Sequence, residues 1–137
     1  TARAGSIKNP LFRGGGRVFG PRVRDYDITV NAKTKQKAKK SALSYKIKDE
    51  AILVVDSLKM KTIKTKEYIK ITEALSVNSG KSLFVVAEGD NNLFLSSRNI
   101  KGSNVVRAAE LNTYEIMNAK HIVFEEGAIK NLEENLK

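Results

Sequence analysis

Apolar and polar positions divide this chain into two stretches that follow different rules. From Asn31 onward, short apolar runs alternate with amphipathic stretches, whereas before it neither a period of 2 nor one of 3.6 persists. The runs at 51–55, 83–87, 105–108 and 121–124 predict strands, and the stretches at 33–48, 66–75, 91–98, 113–119 and 128–136 predict helices. Asn31 stands at the N-cap position of the first helix, where Ala38, Ala42 and Tyr45, with Leu43 and Ile47, predict the buried stripe and lysines take the other faces. Tyr68, Ile71 and Leu75 share one face of the next helix. Strand and helix alternating in this way predict an α/β fold, a three-layer Rossmann-like domain with a mostly parallel sheet and right-handed crossovers. Strands that are apolar without alternation predict a sheet covered on both faces. The division predicts an extended Gly/Arg-rich arm over 1–32 and a globular domain over 33–137.

Composition narrows the class. A chain of 137 residues with 41% apolar side chains can enclose one core, which excludes wholesale disorder. Its longest apolar run, Ala51-Ile52-Leu53-Val54-Val55, falls far short of the ~20 residues a membrane-spanning helix needs. Residues 1–5 lack the apolar stretch of a signal peptide, and with no initiator Met the chain is expected to be a fragment or a processed product. Zero cysteines exclude a disulfide framework, thiolate catalysis and cysteine zinc sites, and a single histidine excludes a His-rich metal site.

Charge sharpens the picture most. The formal net charge is +10, yet residues 1–48 alone hold thirteen Lys and Arg against Asp25 and Asp27, a balance of +11, and the remainder comes to −1. A block of one sign is an interaction footprint for a polyanion, because its charges repel one another until a partner neutralises them. Five of the nine glycines and both prolines also lie within the first 21 residues. A stretch of this length without regular structure is functional or disordered rather than an ordinary connection, and at ~3.3 Å per residue about 30 extended residues reach ~100 Å.

Phosphate loops and catalytic groups are hard to find. Gly80-Lys81-Ser82 mimics the end of a Walker loop, but Leu75 stands where that loop requires glycine and the triplet precedes a strand instead of following one. Gly14-Gly15-Gly16 opens no helix, so a dinucleotide fingerprint fails on context. His121 has no second His or Cys to work with and reads as an edge histidine. Glu88 and Asp90 sit at the carboxyl edge of the second strand, where they could bind a metal or move a proton; the plainer reading is solvated acids favoured by the dipole of the following helix.

In residues 7–26, by contrast, cations alternate with Phe12, Phe19, Tyr26 and glycines. Guanidinium forks grip phosphates, aromatic rings stack on unpaired bases, and glycines let a backbone pass close to a nucleic acid. A disordered basic tail is the simpler alternative, and such an arm is expected to order only on its partner. Two other classes stay open from the residues: a nucleotide-binding Rossmann-like enzyme with a disordered basic extension, and a DNA-binding module using the 33–48 helix.

RGGGRVFGPRVRDY at 13–26, followed by KSALS at 40–44, TKE at 65–67, LSSRN at 95–99 and LNTYE at 111–115, resembles the bacterial L-four family of large-subunit ribosomal proteins over the whole chain. Val23 stands where proline is expected, Ser97 where alanine is usual and Ile63 where proline often precedes the Lys-Thr-Lys-Glu segment. The resemblance implies a structural protein without catalytic residues, metal or cofactor. It also implies a cytoplasmic location in the large ribosomal subunit. Implied partners are large-subunit rRNA, neighbouring ribosomal proteins and, for some members, the protein's own operon mRNA leader. It implies early binding during assembly and a basic loop lining the nascent-peptide exit tunnel.

Carried over by motif match, Arg3, Ser6, Lys8, Arg13, Arg17, Arg22 and Arg24 contact rRNA, and Phe12 and Phe19 wedge or stack. Gly14, Gly15 and Gly16 permit close approach, and Lys33, Lys35, Lys39 and Lys40 extend the interface. Family members are longer at the N-terminus, so the chain is expected to begin on the returning half of the loop and its sheet to lack one strand and expose an edge.

Overall fold

The computed structural model describes Arg3, residues 5–78 and residues 80–136. Thr1, Ala2 and Ala4 of the predicted arm, and Lys137 of the predicted domain, lie outside the described residues. Four strands, β1 (Ile52–Val55), β2 (Ser82–Val86), β3 (Ser103–Arg107) and β4 (His121–Glu125), form one sheet among the described residues. Their order is β1-β4-β2-β3 and every pair is parallel. Helix α1 (Ala32–Lys48) precedes the sheet, α2 (Thr65–Ala74), α3 (Asn91–Ser97) and α4 (Thr113–Asn118) fill the crossovers, and α5 (Glu126–Leu136) follows β4 without a gap.

The predicted elements are all present, with ends displaced by a residue or two. β3 starts earlier than its apolar run because the polar Ser103 and Asn104 pair in register with Ser82 and Leu83. Asn31 does sit at the N-cap of α1, but its side chain makes no cap bond; its carbonyl oxygen accepts from the backbone N–H of Thr34 and Lys35 instead.

Strand order explains the layers. Passing from β1 to β2 and from β2 to β3 moves the chain one way along the sheet, and passing from β3 to β4 moves it back. A single crossover hand then places α2 and α3 on one face and α4 on the other. Packing agrees. Leu83, Val85, Ile122 and Phe124 meet Ala42 of α1, Ile116 of α4 and Ala128 and Leu132 of α5. Phe84, Val86, Val105 and Val123 meet Tyr68 of α2 and Leu93 of α3.

β2 is buried from end to end, as a central strand covered on both faces must be. The edge strand β1 is not: Leu53 and Val54 are 37% and 57% exposed. Tyr68 and Phe84 lie edge to face, 5.4 Å between ring centres, and the Tyr68 hydroxyl shares a hydrogen bond with Ser103. Burial pushes the phenol of Tyr68 up to about 12, against a smaller lowering by that hydrogen bond. Ser97, buried where the L-four pattern has alanine, is accommodated because its hydroxyl donates to the Phe94 carbonyl at 3.0 Å.

Candidate nucleic-acid interface

The crevice that an α/β enzyme would use lies at the carboxyl ends of β2 and β4, where the following helices depart to opposite faces. Leu58, Lys59, Met60, Glu88, Asp90, Glu125 and Asn131 line it. Asp90, Glu125 and Asn131 among them are turned to the fold. One Asp90 oxygen accepts from the Met60 N–H at 3.2 Å, the other caps α3 through the Asn92 N–H at 3.0 Å, and Asn92 donates back to the Met60 carbonyl. Glu125 accepts from the Ala87 N–H at 2.9 Å. On the neighbouring wall Arg107 pairs with Glu110; that hydrogen bond holds the carboxyl below its ordinary range and raises the guanidinium. Glu88 remains exposed. Among the described residues no three His, Cys, Asp or Glu side chains gather as a metal site.

Gly80-Lys81-Ser82 cradles nothing either. The Lys81 ammonium is held by Asn118 at 2.7 Å, and a Cβ on Gly80 would stand 2.8 Å from the Lys120 side chain. His121 is half-buried at the start of β4, opposite Ser82.

The N-terminal segment is built differently. Residues 5–31 contain no helix and no strand, but residues 6–16 are not structureless. Successive turns bring the Asn9 N–H to the Ser6 carbonyl, the Phe12 N–H to Asn9 and the Gly15 N–H to Phe12, and the Gly16 N–H closes the unit on the Lys8 carbonyl at 2.9 Å. The sequence carries the cause. Ser6 and Asn9 accept locally through their side chains from the N–H groups of Lys8 and Leu11, and Pro10 pre-sets a turn. Gly14 takes φ +81°, and a Cβ on Gly15 would lie 2.0 Å from the Asn9 carbonyl oxygen. The expected extended path is therefore shortened here, and the glycine triplet makes room first for the chain's own backbone.

The turn unit separates the two phenylalanines. Phe12 is half-buried within it, whereas Phe19 is 96% exposed and held at φ 53°. Phe19, Arg22, Arg24 and Tyr26 line one open groove of about 500 Å³, with the Arg24 guanidinium 4.6 Å from the centre of the Tyr26 ring. Arg3, Ser6, Lys8, Arg13, Arg17, Arg22 and Arg24 are all exposed, as are Gly14 and Gly16. Ile7, Leu11, Val23 and Ile28 are exposed as well, without a core to enter.

Helix α1 corrects the predicted stripe. Ala42 is buried and Leu43 packs beside it, but Ala38 is exposed and Tyr45 and Ile47 are 59% and 65% exposed. The inward face is Gln36, Lys39, Ala42, Leu43 and Lys46, spaced three and four apart. Lys46 donates to the Ala119 carbonyl at 2.7 Å and Gln36 reaches the Asn135 carbonyl at 3.4 Å. Of the four predicted contact lysines, Lys33 and Lys40 share the outward face, Lys35 is exposed on another side, and Lys39 is half-buried toward the domain. Lys37 and Lys48, not among those four, also face outward. Their signal was the position of Ala42 and Leu43, which sets the helix phase once it is known that Tyr45 lies outside.

Fold and surface together define an α/β domain that turns Asp90 and Glu125 to its own backbone and concentrates its excess of positive charge on one segment and one helix. The chain belongs to the Ribosomal protein L4/L1 family, whose profile matches residues 1–135. It is 51% identical over 136 residues to the large ribosomal subunit protein uL4 of Christiangramia forsetii and 49% identical to that of Flavobacterium johnsoniae, covering 99% of this chain in each case. The protein of the same name from Maridesulfovibrio salexigens is 44% identical over 136 residues. The chain spans about 65% of the length of these relatives.

Proposed function

We propose that this chain is a structural, non-catalytic component of the large ribosomal subunit that binds large-subunit rRNA. The observation that carries the reading is the partition of charge: +11 on residues 1–48, with every arginine of that segment exposed. Such a surface neutralises phosphates and releases their counterions. Exposed Phe19 and Tyr26 beside Arg22 and Arg24 suit irregular RNA, whose unpaired bases offer faces for stacking. The names of the relatives support the same reading. Residues 1–32 serve as the rRNA-binding arm on a domain of residues 33–137, with Arg3, Ser6, Lys8, Phe12, Arg13, Gly14 to Gly16, Arg17, Phe19, Arg22 and Arg24 at the contact. Early assembly, a place at the exit tunnel, contacts with neighbouring ribosomal proteins and binding of its own mRNA leader belong to the proposal, as does a cytoplasmic ribosomal location.

The test is binding of the chain to large-subunit rRNA fragments from about 50 to about 200 mM salt. Log K should fall linearly with log[salt], by roughly 0.7 to 0.9 for each phosphate contacted. Large-subunit fragments should outcompete small-subunit rRNA of equal length. Affinity indifferent to salt, or equal for both RNAs, overturns the reading.

A further inference from the structure

The two ends of the sheet differ in charge. Asp56 follows β1 directly, Glu88 follows β2 by two residues, Glu110 follows β3 by three and Glu125 is the last residue of β4. At the other end Lys81 and Lys120 directly precede β2 and β4, and Lys101 precedes β3 by two residues. Two hollows open at the carboxyl end, one of about 720 Å³ over β4 and β2 and one of about 380 Å³ over β2 and β3, and they meet at Val86, Gly89 and Asp90 to form one trough. Its floor is apolar, made of Leu58, Met60, Val86 and Val105, and Phe94 of α3 lines the β3 side, 49% exposed. Four carboxylates line the trough against two cations, Lys59 and Arg107, and Arg107 is already paired with Glu110. Exposed Glu88 enters no ion pair among the described residues.

We propose that this trough is a docking site for an extended, Arg- or Lys-rich segment of a neighbouring large-subunit protein. The proposal rests on the ribosomal reading above and gives its protein contacts a surface other than the arm and α1. Charge complementarity selects the occupant. A phosphate, whether of RNA or of a nucleotide, would meet carboxylates here, and the N-terminus of α5, which could otherwise attract an anion, opens with Glu126. A cationic side chain finds the opposite. Its aliphatic stem can lie on the apolar floor while its head reaches the free carboxylate of Glu88, and a guanidinium can stack on Phe94. Dimensions favour a chain segment. The ends of β4, β2 and β3 span about 10 Å at ~4.8 Å per strand, which three extended residues cross at ~3.3 Å each. Side chains along such a segment alternate in direction, so apolar floor and acidic rim can be met by successive residues. Arginine on an aromatic wall is also the pairing in which protein interfaces are enriched.

Because the chain has no cysteine, Asn91→Cys can carry a single photoreactive maleimide on the exposed rim of the trough. The labelled full chain is assembled into large subunits and its crosslinks are mapped by mass spectrometry. The expected product joins it to an extended, Lys- or Arg-rich segment of another large-subunit protein. Crosslinks only to rRNA, only to this chain or a second copy of it, only to acidic or neutral segments, or none at all, overturn the proposal. Adding Glu88→Lys or Phe94→Ala should lower the yield of the expected product at least fivefold. Glu73→Lys, the same change of charge on an exposed residue near the C-terminal end of α2, should leave it within about twofold. Thermal melting should show Glu88→Lys folded like the parent, since its side chain is exposed and unpaired. If neither trough variant differs from the control, the neighbour is only close by and the docking site is overturned. An unlabelled parent chain that fails to enter large subunits overturns the ribosomal reading and this proposal with it; a chain that enters them without the expected crosslink overturns this proposal alone.

Discussion

Polar side chains do opposite jobs in the two regions of this molecule. In residues 49–136 several are turned to the fold's own backbone: Asp90 ties the β1–α2 loop to the start of α3, Glu125 and Asn131 hold Ala87, and Asn112 caps α4 through the Glu115 N–H. In residues 5–48 most of the charged groups face solvent, beside apolar side chains that have no core to enter. The same residue types thus secure a structure in one region and face solvent in the other. A net charge of −1 over residues 49–137 and of +11 over residues 1–48 is the sequence-level trace of that division.

If the division is real, damage to the two regions must separate. Phe84→Ala removes the side chain that α2 and α3 pack upon, fully buried against Tyr68. It should cost about 3–5 kcal/mol of stability, read by denaturant unfolding, while the salt slope of RNA binding by the folded fraction stays unchanged. Arg17→Gln/Arg22→Gln/Arg24→Gln should do the reverse. The unfolding midpoint stays in place, while the salt slope drops by about 2 and RNA affinity falls about 10- to 100-fold, on the order of 2 kcal/mol. A loss of stability in the arginine variant would show that the segment is part of the domain after all.

A third measurement stays within the domain. The folded pKa of Tyr68, about 12, is raised above the ordinary 10.0 because burial disfavours the phenolate. An acid that holds its proton more tightly when folded contributes stability fully below the unfolded pKa, and that contribution is lost as pH rises through the folded one. Unfolding free energy should therefore decline between about pH 10 and pH 12, by on the order of 2 kcal/mol. Tyr68→Phe should flatten that decline, with tyrosine ionisation followed near 295 nm.

Most of the fold could be read from the residues because strands such as Leu83-Phe84-Val85-Val86 are continuous apolar runs between amphipathic helices. What escaped was set by contacts rather than by local pattern. Ser103 and Asn104 look like loop residues, and only pairing with β2 makes them strand. On α1 the apolar residues are scattered around the helix, so the stripe expected through Ala38, Ala42 and Tyr45 is not the one packing chose, which buries Ala42 and Leu43 and leaves Ala38 and Tyr45 outside. The basic segment was visible in charge and composition, but its turns were not. Asn9-Pro10 and the glycine triplet each signal a turn, yet nothing in their spacing says that Gly16 closes on Lys8.

That closure permits the finest cut between the regions. A segment awaiting its partner can be disordered or already shaped, and the two states differ in what a methyl group does to them. At Gly15 a Cβ would lie 2.0 Å from the Asn9 carbonyl oxygen, a backbone atom that cannot move without opening the turns of residues 6–16. Gly15→Ala leaves charge and domain untouched, so the melting temperature and the salt slope should not change. If the unit is shaped before binding, its loss adds an ordering cost, and RNA affinity should fall several-fold, about 1 kcal/mol. Amide resonances of residues 6–16 should then collapse toward random-coil positions in the free protein. If affinity and resonances are both indifferent to the methyl, the segment has no shape of its own away from RNA, and the comparison becomes one between a fold and a charged tail.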